Sequence, residues 1–142
     1  MPDRDYEIVY VEKPDEDAWE VIGGGINRFN NQQAGDSHGK LLCFILRGPG
    51  NELAGGVIGE THWEWCNISL MFVREDLRGR GYGGRLLELA EEEARKRGAK
   101  MIYLDTFSFQ APGFYKKFGY EVFGVLKDFP AGHQRYYLKK KL

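Results

Sequence analysis

Hydrophobic spacing divides the chain into short alternating elements. Residues 6–12 are rich in Ile, Val and Tyr and read as a first strand. Pro14 and Asp15 open a helix with acidic residues in its first turn. Trp19, Ile22, Ile26 and Phe29 share one helical face, but Gly23-Gly24-Gly25 interrupts it. Each glycine costs a helix about 1 kcal/mol against alanine, so the pattern predicts one helix broken there or two short ones. Residues 30–39 are polar and form a loop. Lys40–Arg47 is an apolar run of buried-strand length, Gly48 to Asn51 is a turn, and Leu53–His62 returns as the second arm of a hairpin. Residues 64–73 read as a further strand. Strict alternation puts Cys66, Ile68, Leu70 and Phe72 on the core face and Asn67, Ser69 and Met71 on a mixed face suited to a cleft.

The second half holds the strongest helix, residues 82–97. Leu86, Ala90 and Ala94 recur at spacing four, with Leu87 and Leu89 widening the stripe. Glu91/Arg95, Glu92/Lys96 and Glu93/Arg97 form three i,i+4 pairs in the favourable order, and Gly98 supplies the stop. A strand over 100–106, a short helix over 111–118 ended by Gly119, and two strands over 120–126 and 134–140 complete the pattern. The last two flank a turn-rich connection and should pair antiparallel. The expected fold is α+β, a single domain over residues 1–142. It has a mixed, mostly antiparallel sheet of six to seven strands flanked by about four helices.

Length and composition narrow the function. The 142 residues suit one domain that removes roughly 68% of its unfolded surface on folding. A net charge of −1 argues against a general nucleic-acid binder. Cys43 and Cys66 sit in apolar runs outside any CxxC pair, and three scattered histidines do not complete a zinc site. The expectation is two buried thiols in a reducing compartment and no metal. No apolar stretch nears the ~18 residues of a membrane span, and the N-terminus lacks a signal h-region, so the expectation is a cytoplasmic protein. Lys139-Lys140-Lys141 reads as a solvated terminus.

The chemistry concentrates in Arg78-Gly79-Arg80-Gly81-Tyr82-Gly83-Gly84, between a strand and the long helix. Glycines let backbone N–H groups approach a ligand, and the helix N-terminus favours an anion. Arg78 and Arg80 add positive charge. The segment describes a pyrophosphate cradle. Gly79, Gly81 and Gly84 also satisfy G-x-G-x-x-G, with Asp105 21 residues on, the fingerprint of a nicotinamide dinucleotide site. Three facts count against that reading. Five residues separate Val73 from Gly79, the segment upstream is a hairpin, and the further βαβ units are missing.

R-x-x-G-x-G spacing after a strand ending Met71-Phe72-Val73 fits better. Here the chain resembles the GNAT family of acetyl-coenzyme A-dependent N-acetyltransferases. Phe114-Tyr115-Lys116-Lys117-Phe118-Gly119-Tyr120, some thirty residues later, extends the resemblance over nearly the whole chain. It implies acetyl-coenzyme A as cofactor, with Arg78 to Gly84 binding pyrophosphate and the edge of Met71, Phe72 and Val73 pairing with the pantetheine arm. Where many members carry Asn ahead of the short helix, this chain has Ser108. A hydroxyl keeps one hydrogen bond of the amide's two polar groups. The resemblance also admits a homodimer.

Acetyl transfer from a thioester to a primary amine of a small molecule or peptide needs a neutral amine, and an amine of pKa near 10.4 is about 0.04% neutral at pH 7. A base therefore helps, and the candidates are Glu64, Glu60 and, by chemistry alone, His62. The developing oxyanion wants a donor, which a free N–H near Phe72 or Val73 supplies. The leaving thiolate wants an acid, and Tyr115 stands where the family places a tyrosine near the sulfur. Trp63 and Trp65 line the acceptor cleft or cover the sheet. The acceptor itself should meet residues 19–29, the loop to Gly39 and the 59–65 hairpin. The alternative is a non-catalytic acyl-coenzyme A-binding module that holds cofactor without turnover.

Overall fold

The computed structural model describes residues 5–142. They fall into two compact units, Met1–Ser37 and His38–Leu142.

The first unit carries one continuous helical run, α1, over residues 16–34. It comprises an α-helix at Glu16–Trp19, a π-helical turn at Glu20–Gly24 and an α-helix at Gly25–Ala34. Asp15 caps its start, its carboxylate accepting the Ala18 N–H at 2.8 Å. The glycine-rich stretch does not break the run. It widens one turn into π geometry, a common way for a helix to absorb an irregular segment. Residues 6–12 form no strand, contrary to their composition. β-Propensity is realised only against a pairing partner, and this segment joins no ladder.

The second unit is a six-stranded sheet: β1 Lys40–Arg47, β2 Leu53–His62, β3 Trp65–Val73, β4 Met101–Phe107, β5 Glu121–Lys127 and β6 Gln134–Lys141. The order is β1-β2-β3-β4-β6-β5. Only β3 and β4 run parallel; every other neighbouring pair is antiparallel. Between them the chain forms α2, Tyr82–Lys96, as the crossover helix, and α3, Pro112–Lys117, follows β4. The α+β expectation holds. Among the described residues there are six strands, and three helical runs rather than about four.

One sheet face packs on α2 and α3. Leu42, Val57, Cys66, Ile68, Ile102, Leu104 and Leu138 meet Leu86, Leu87, Ala90 and Ala94 there, with Tyr115 and Tyr120 in the same cluster. Gly98, at φ 86°, takes the left-handed conformation that ends α2 cheaply. Cys66 is fully buried, and desolvation pushes its thiol up to about 11. Cys43 is exposed instead of buried, because its neighbours Leu42 and Phe44 take the core side of β1.

One surface expectation is also corrected. Glu91 lies in the core, where it accepts the Tyr120 hydroxyl at 2.7 Å and the Lys140 ammonium at 2.9 Å. Lys140 is therefore not part of a solvated terminus; strand alternation turns it inward between Lys139 and Lys141. Glu91→Ala strands that ammonium and a phenol at once. Breaking a buried pair from one side costs about 3–5 kcal/mol, and urea denaturation should show a loss of that size.

Candidate active site

The cleft begins with a pairing failure. β3 and β4 are hydrogen-bonded only from Trp65/Met101 to Ile68/Leu104. Beyond that point β3 stays on β2 as far as Val73, and β4 stays on β6 as far as Phe107. Ser69 to Val73 and Asp105 to Phe107 are thus the two walls of a splay within one sheet. Its apex coincides with a bulge. Ile58 faces Leu70 and Gly59 faces Ile68, leaving Ser69 as the extra residue of β3. A bulge re-aims everything after it. The core face therefore runs Cys66, Ile68, Met71, Val73, while Leu70 and Phe72 stand exposed. The expectation of Leu70 and Phe72 in the core fails for this reason: one inserted residue reverses the alternation.

The same geometry sorts the backbone groups. The Arg74 N–H donates to the Ala54 carbonyl at 2.8 Å, next to the Gly55/Val73 pair. Hydrogen-bonded positions alternate along an antiparallel pair. Phe72 and Leu70 are therefore bonded to β2, and Met71 and Val73 direct their N–H and C=O groups into the splay. The Val73 carbonyl already accepts Arg78 Nε at 2.8 Å, which leaves Val73 as an N–H donor. The Arg78 guanidinium lies 5.4 Å over the Phe72 ring, so it is fastened beside the cleft wall.

After β3 the chain makes a short 3-10 turn at Glu75–Leu77, fixed by Arg74 on Asp76 at 2.6 Å. That hydrogen bond and charge hold the Asp76 carboxyl below its ordinary range. Gly79 (φ 77°) and Gly81 (φ 90°) then turn the backbone into α2 through the left-handed region. Gly81 is the N-cap, and no side chain caps the helix. A Cβ at Gly79 or Gly81 would meet nothing, so the loop faces open space. Uncapped N–H groups, a helix dipole and fixed arginine charge beside that space suit a diphosphate. Gly83 and Gly84 have a different need. A Cβ on Gly84 would reach Phe118 at 2.7 Å and one on Gly83 would touch Phe114 at 3.4 Å, so these glycines let α2 pack on α3.

Tyr115 is buried on the α2 side of the sheet, edge-on to Phe114 and Tyr120. No hydrogen bond to its hydroxyl occurs among the described residues. Burial, and then the charge of Asp105, raise its phenol above the ordinary value, so it keeps its proton at neutral pH. Ser108 Oγ accepts the Gln134 N–H at 3.0 Å and its own N–H donates to the Gln134 carbonyl, which ties the end of β4 to β6. Its hydroxyl hydrogen remains the group with which it could meet a ligand.

The carboxylate candidates separate. Glu64 does not open β3. It is the second residue of a two-residue turn with Trp63, both at positive φ. Its carboxylate is exposed and 3.2 Å from Lys100. It lies four residues before Ile68, about 14 Å of strand from the apex. Glu60 faces Asn67, the residue before Ile68, and is 3.6 Å from His62 Nδ1, a buried atom with no hydrogen bond among the described residues. Trp65 packs on Tyr103 beside it.

Three groups enter the site without having been assigned a role in acetyl transfer from sequence. Asn67 and Ser69 join at the apex, Ser69 Oγ donating to Asn67 Oδ1 at 3.0 Å. Asp105, which the sequence brought in only through the dinucleotide fingerprint, is the first β4 residue beyond the last β3 pairing and is bound by Arg135. No local motif marks these residues, since the splay comes from long-range pairing.

The sequence profile described as the Acetyltransferase (GNAT) family matches residues 4–120. An acetyltransferase of Agrobacterium fabrum is 34% identical over 134 residues, covering 94% of this chain and 98% of that one. The blasticidin-S acetyltransferase of Streptomyces morookaense is 40% identical over 96 residues, 67% of this chain and 71% of its own. A crystal structure from Agrobacterium tumefaciens, described as an acetyltransferase, superposes with a TM-score of 0.91 at 32% identity, covering 96% of this chain and all of that one. With a splayed sheet and a glycine-rich helix start that fit acetyl-coenzyme A, this chain belongs to the GNAT family and is an acetyl-coenzyme A-dependent acetyltransferase.

Proposed function

We propose that the chain is one N-acetyltransferase domain over residues 1–142 that acetylates a primary amine of a small molecule or peptide, with the splay as its cofactor slot. The observation that carries this is the succession of three features along the chain: the apex at Ser69, the inward N–H groups of Met71 and Val73, and the open loop at Gly79 and Gly81. A diphosphate anchored at the loop directs the rest of the coenzyme along β3 toward the apex.

When bound, acetyl-coenzyme A supplies a thioester carbonyl as electrophile and a thiolate as leaving group. Arg78, Arg80 and the N–H groups from Gly79 to Gly84 would hold the diphosphate. Met71 and Val73 would pair with the pantetheine amides as an added strand does. An inward N–H of β3 would donate to the carbonyl oxygen as charge grows there. Tyr115, protonated and on the helix side of the splay, would donate to the departing sulfur. The blasticidin-S acetyltransferase likeness supports a small, amine-bearing acceptor over a protein one.

Isothermal titration with acetyl-coenzyme A, followed by thiol release with an amine panel and mass analysis of the products, tests this reading. Micromolar binding and N-acetylated product are expected. Binding without thiol release from any amine would favour the non-catalytic module, and affinity for NAD without affinity for coenzyme A would overturn both.

The 14 Å from the apex and the Lys100 pair weigh against Glu64 as the base. Glu64→Gln should give a pH–rate profile parallel to the parent's from about pH 6 to 9, the interval across which a needed base is replaced by amine ionisation. Partial rescue of the variant as pH rises would restore Glu64 to the role.

A further inference from the structure

Asp105 faces away from Tyr115 across the sheet. Ile102, Leu104 and Thr106 are buried on the helix side of β4, so Tyr103, Asp105 and Phe107 occupy the other side. Asp105 is the carboxylate nearest the point where β4 leaves β3, and Tyr115 lies within reach of its charge. Arg135, diagonal to it on β6 and two residues from its register partner Tyr137, donates through Nε at 2.8 Å and lies 2.7 Å away through its second guanidinium nitrogen. Both contacts go to Oδ2. Oδ1 has no hydrogen bond among the described residues, and the carboxylate is about a quarter exposed. Arg135 cannot swing away freely, because the rings of Phe107, Phe129 and Tyr137 surround its guanidinium at 5.2 to 5.5 Å. The result is a carboxylate with one oxygen fastened and the other without a hydrogen bond among the described residues, on the β4 wall of the splay, with Leu70 and Phe72 exposed on the opposite wall.

We propose that Asp105 is the subsite for the acceptor's ammonium group and takes its proton. This rests on the N-acetyl transfer reading, and extends it to a cationic alkylamine entering from the sheet face opposite the helices. The ammonium donates to Oδ1. One N–H proton passes to Oδ1 and on to water, the freed nitrogen lone pair forms the C–N bond, the C–S bond breaks, the sulfur receives its proton from Tyr115, and the second proton that the nitrogen loses as the amide forms returns through water to the Tyr115 phenolate. Acid and base thus stand on opposite faces of one sheet, joined only through the splay. The other titratable groups on the same sheet face as Asp105 are Arg135 and Tyr137 on β6 and Tyr103 on β4, with Glu60 beyond Asn67 on β2, while Tyr115 on α3 senses its charge from the opposite face. None of these is a second carboxylate at the mouth itself.

The test uses hexylamine as the probe and the protein saturated with coenzyme A. Asp105→Asn should leave coenzyme A affinity unchanged and weaken hexylammonium binding at least about tenfold, the scale of a lost charge-assisted bond. With acetyl-coenzyme A and hexylamine, its thiol-release rate at pH 7 should fall about 10²-fold or more. The deficit should then narrow toward pH 9, where the neutral amine fraction is roughly 90-fold higher. If Asp105→Asn unfolds because Arg135 is left unpaired, Asp105→Asn combined with Arg135→Gln removes both charges and carries the same expectations. Equal hexylammonium affinity in parent and folded variant, no hexylammonium binding by a coenzyme-saturated parent, or a deficit independent of pH would each overturn the assignment while leaving the cofactor reading intact. Failure of the parent to bind coenzyme A would overturn the acetyl-transfer reading instead.

Discussion

Tyr115→Phe leaves acetyl-coenzyme A affinity within a few-fold and lowers turnover by about 10²-fold or more, the usual worth of a positioned general acid. The split follows from where the residue sits. Its ring is packed edge-on against Phe114 and Tyr120, and phenylalanine keeps those contacts. Its hydroxyl has no protein hydrogen bond among the described residues, so removing it strands no partner. A mainly structural tyrosine would show the reverse pattern, lost thermal stability with turnover retained. The pH dependence adds a second reading. Burial and the charge of Asp105 place the phenol above its ordinary value of 10.0. A group whose pKa is raised stays protonated as pH climbs, so the parent's turnover should hold on the alkaline side through that value. An alkaline limb near neutrality would assign the acid elsewhere.

Gly81→Val weakens acetyl-coenzyme A binding by at least about tenfold in a folded protein. Gly81 has a φ of 90° and caps α2. A β-branched residue resists that conformation, and relaxing it swings the first N–H groups of the helix off the diphosphate. The site is open around a Cβ, so no clash in the apoprotein adds to the effect. Calorimetry on the variant checks it, and unchanged affinity would remove this loop from the cofactor site. Gly84→Ala would be a poor substitute, because its Cβ meets Phe118 and mixes packing loss into the result.

The parts of the fold legible in sequence were those governed by local pattern. The β1–β2 hairpin lies at the expected residues, because an apolar run, a Gly-Pro-Gly-Asn turn and a second apolar run are sufficient signals. The loop from Arg78 to Gly84 lies between strand and helix as expected, since glycine marks left-handed backbone wherever it is obligatory. What escaped is non-local. The bulge at Ser69 depends on β2 as much as on β3, and it moved Leu70 and Phe72 out of the core. Trp63 and Glu64 form a tight turn without the glycine or asparagine that would announce one, so Glu64 looked like the start of a strand. Residues 6–12 carry strand composition but no ladder. Lys140 read as part of a solvated terminus, and only the meeting of β6 with α2 brings it onto the buried Glu91. Asp105 and Arg135 lie 30 residues apart and become a unit only because β4 and β6 are neighbours.

Amide hydrogen exchange with and without coenzyme A tests the central claim, that the cofactor lies in the splay as an added strand. Phe72 and Leu70 are already bonded to β2 and should exchange slowly in both states, whereas Met71 and Val73 face the splay and should gain protection on binding, together with the amides from Gly79 to Gly84. Strong binding with no new protection at Met71 and Val73 would contradict it.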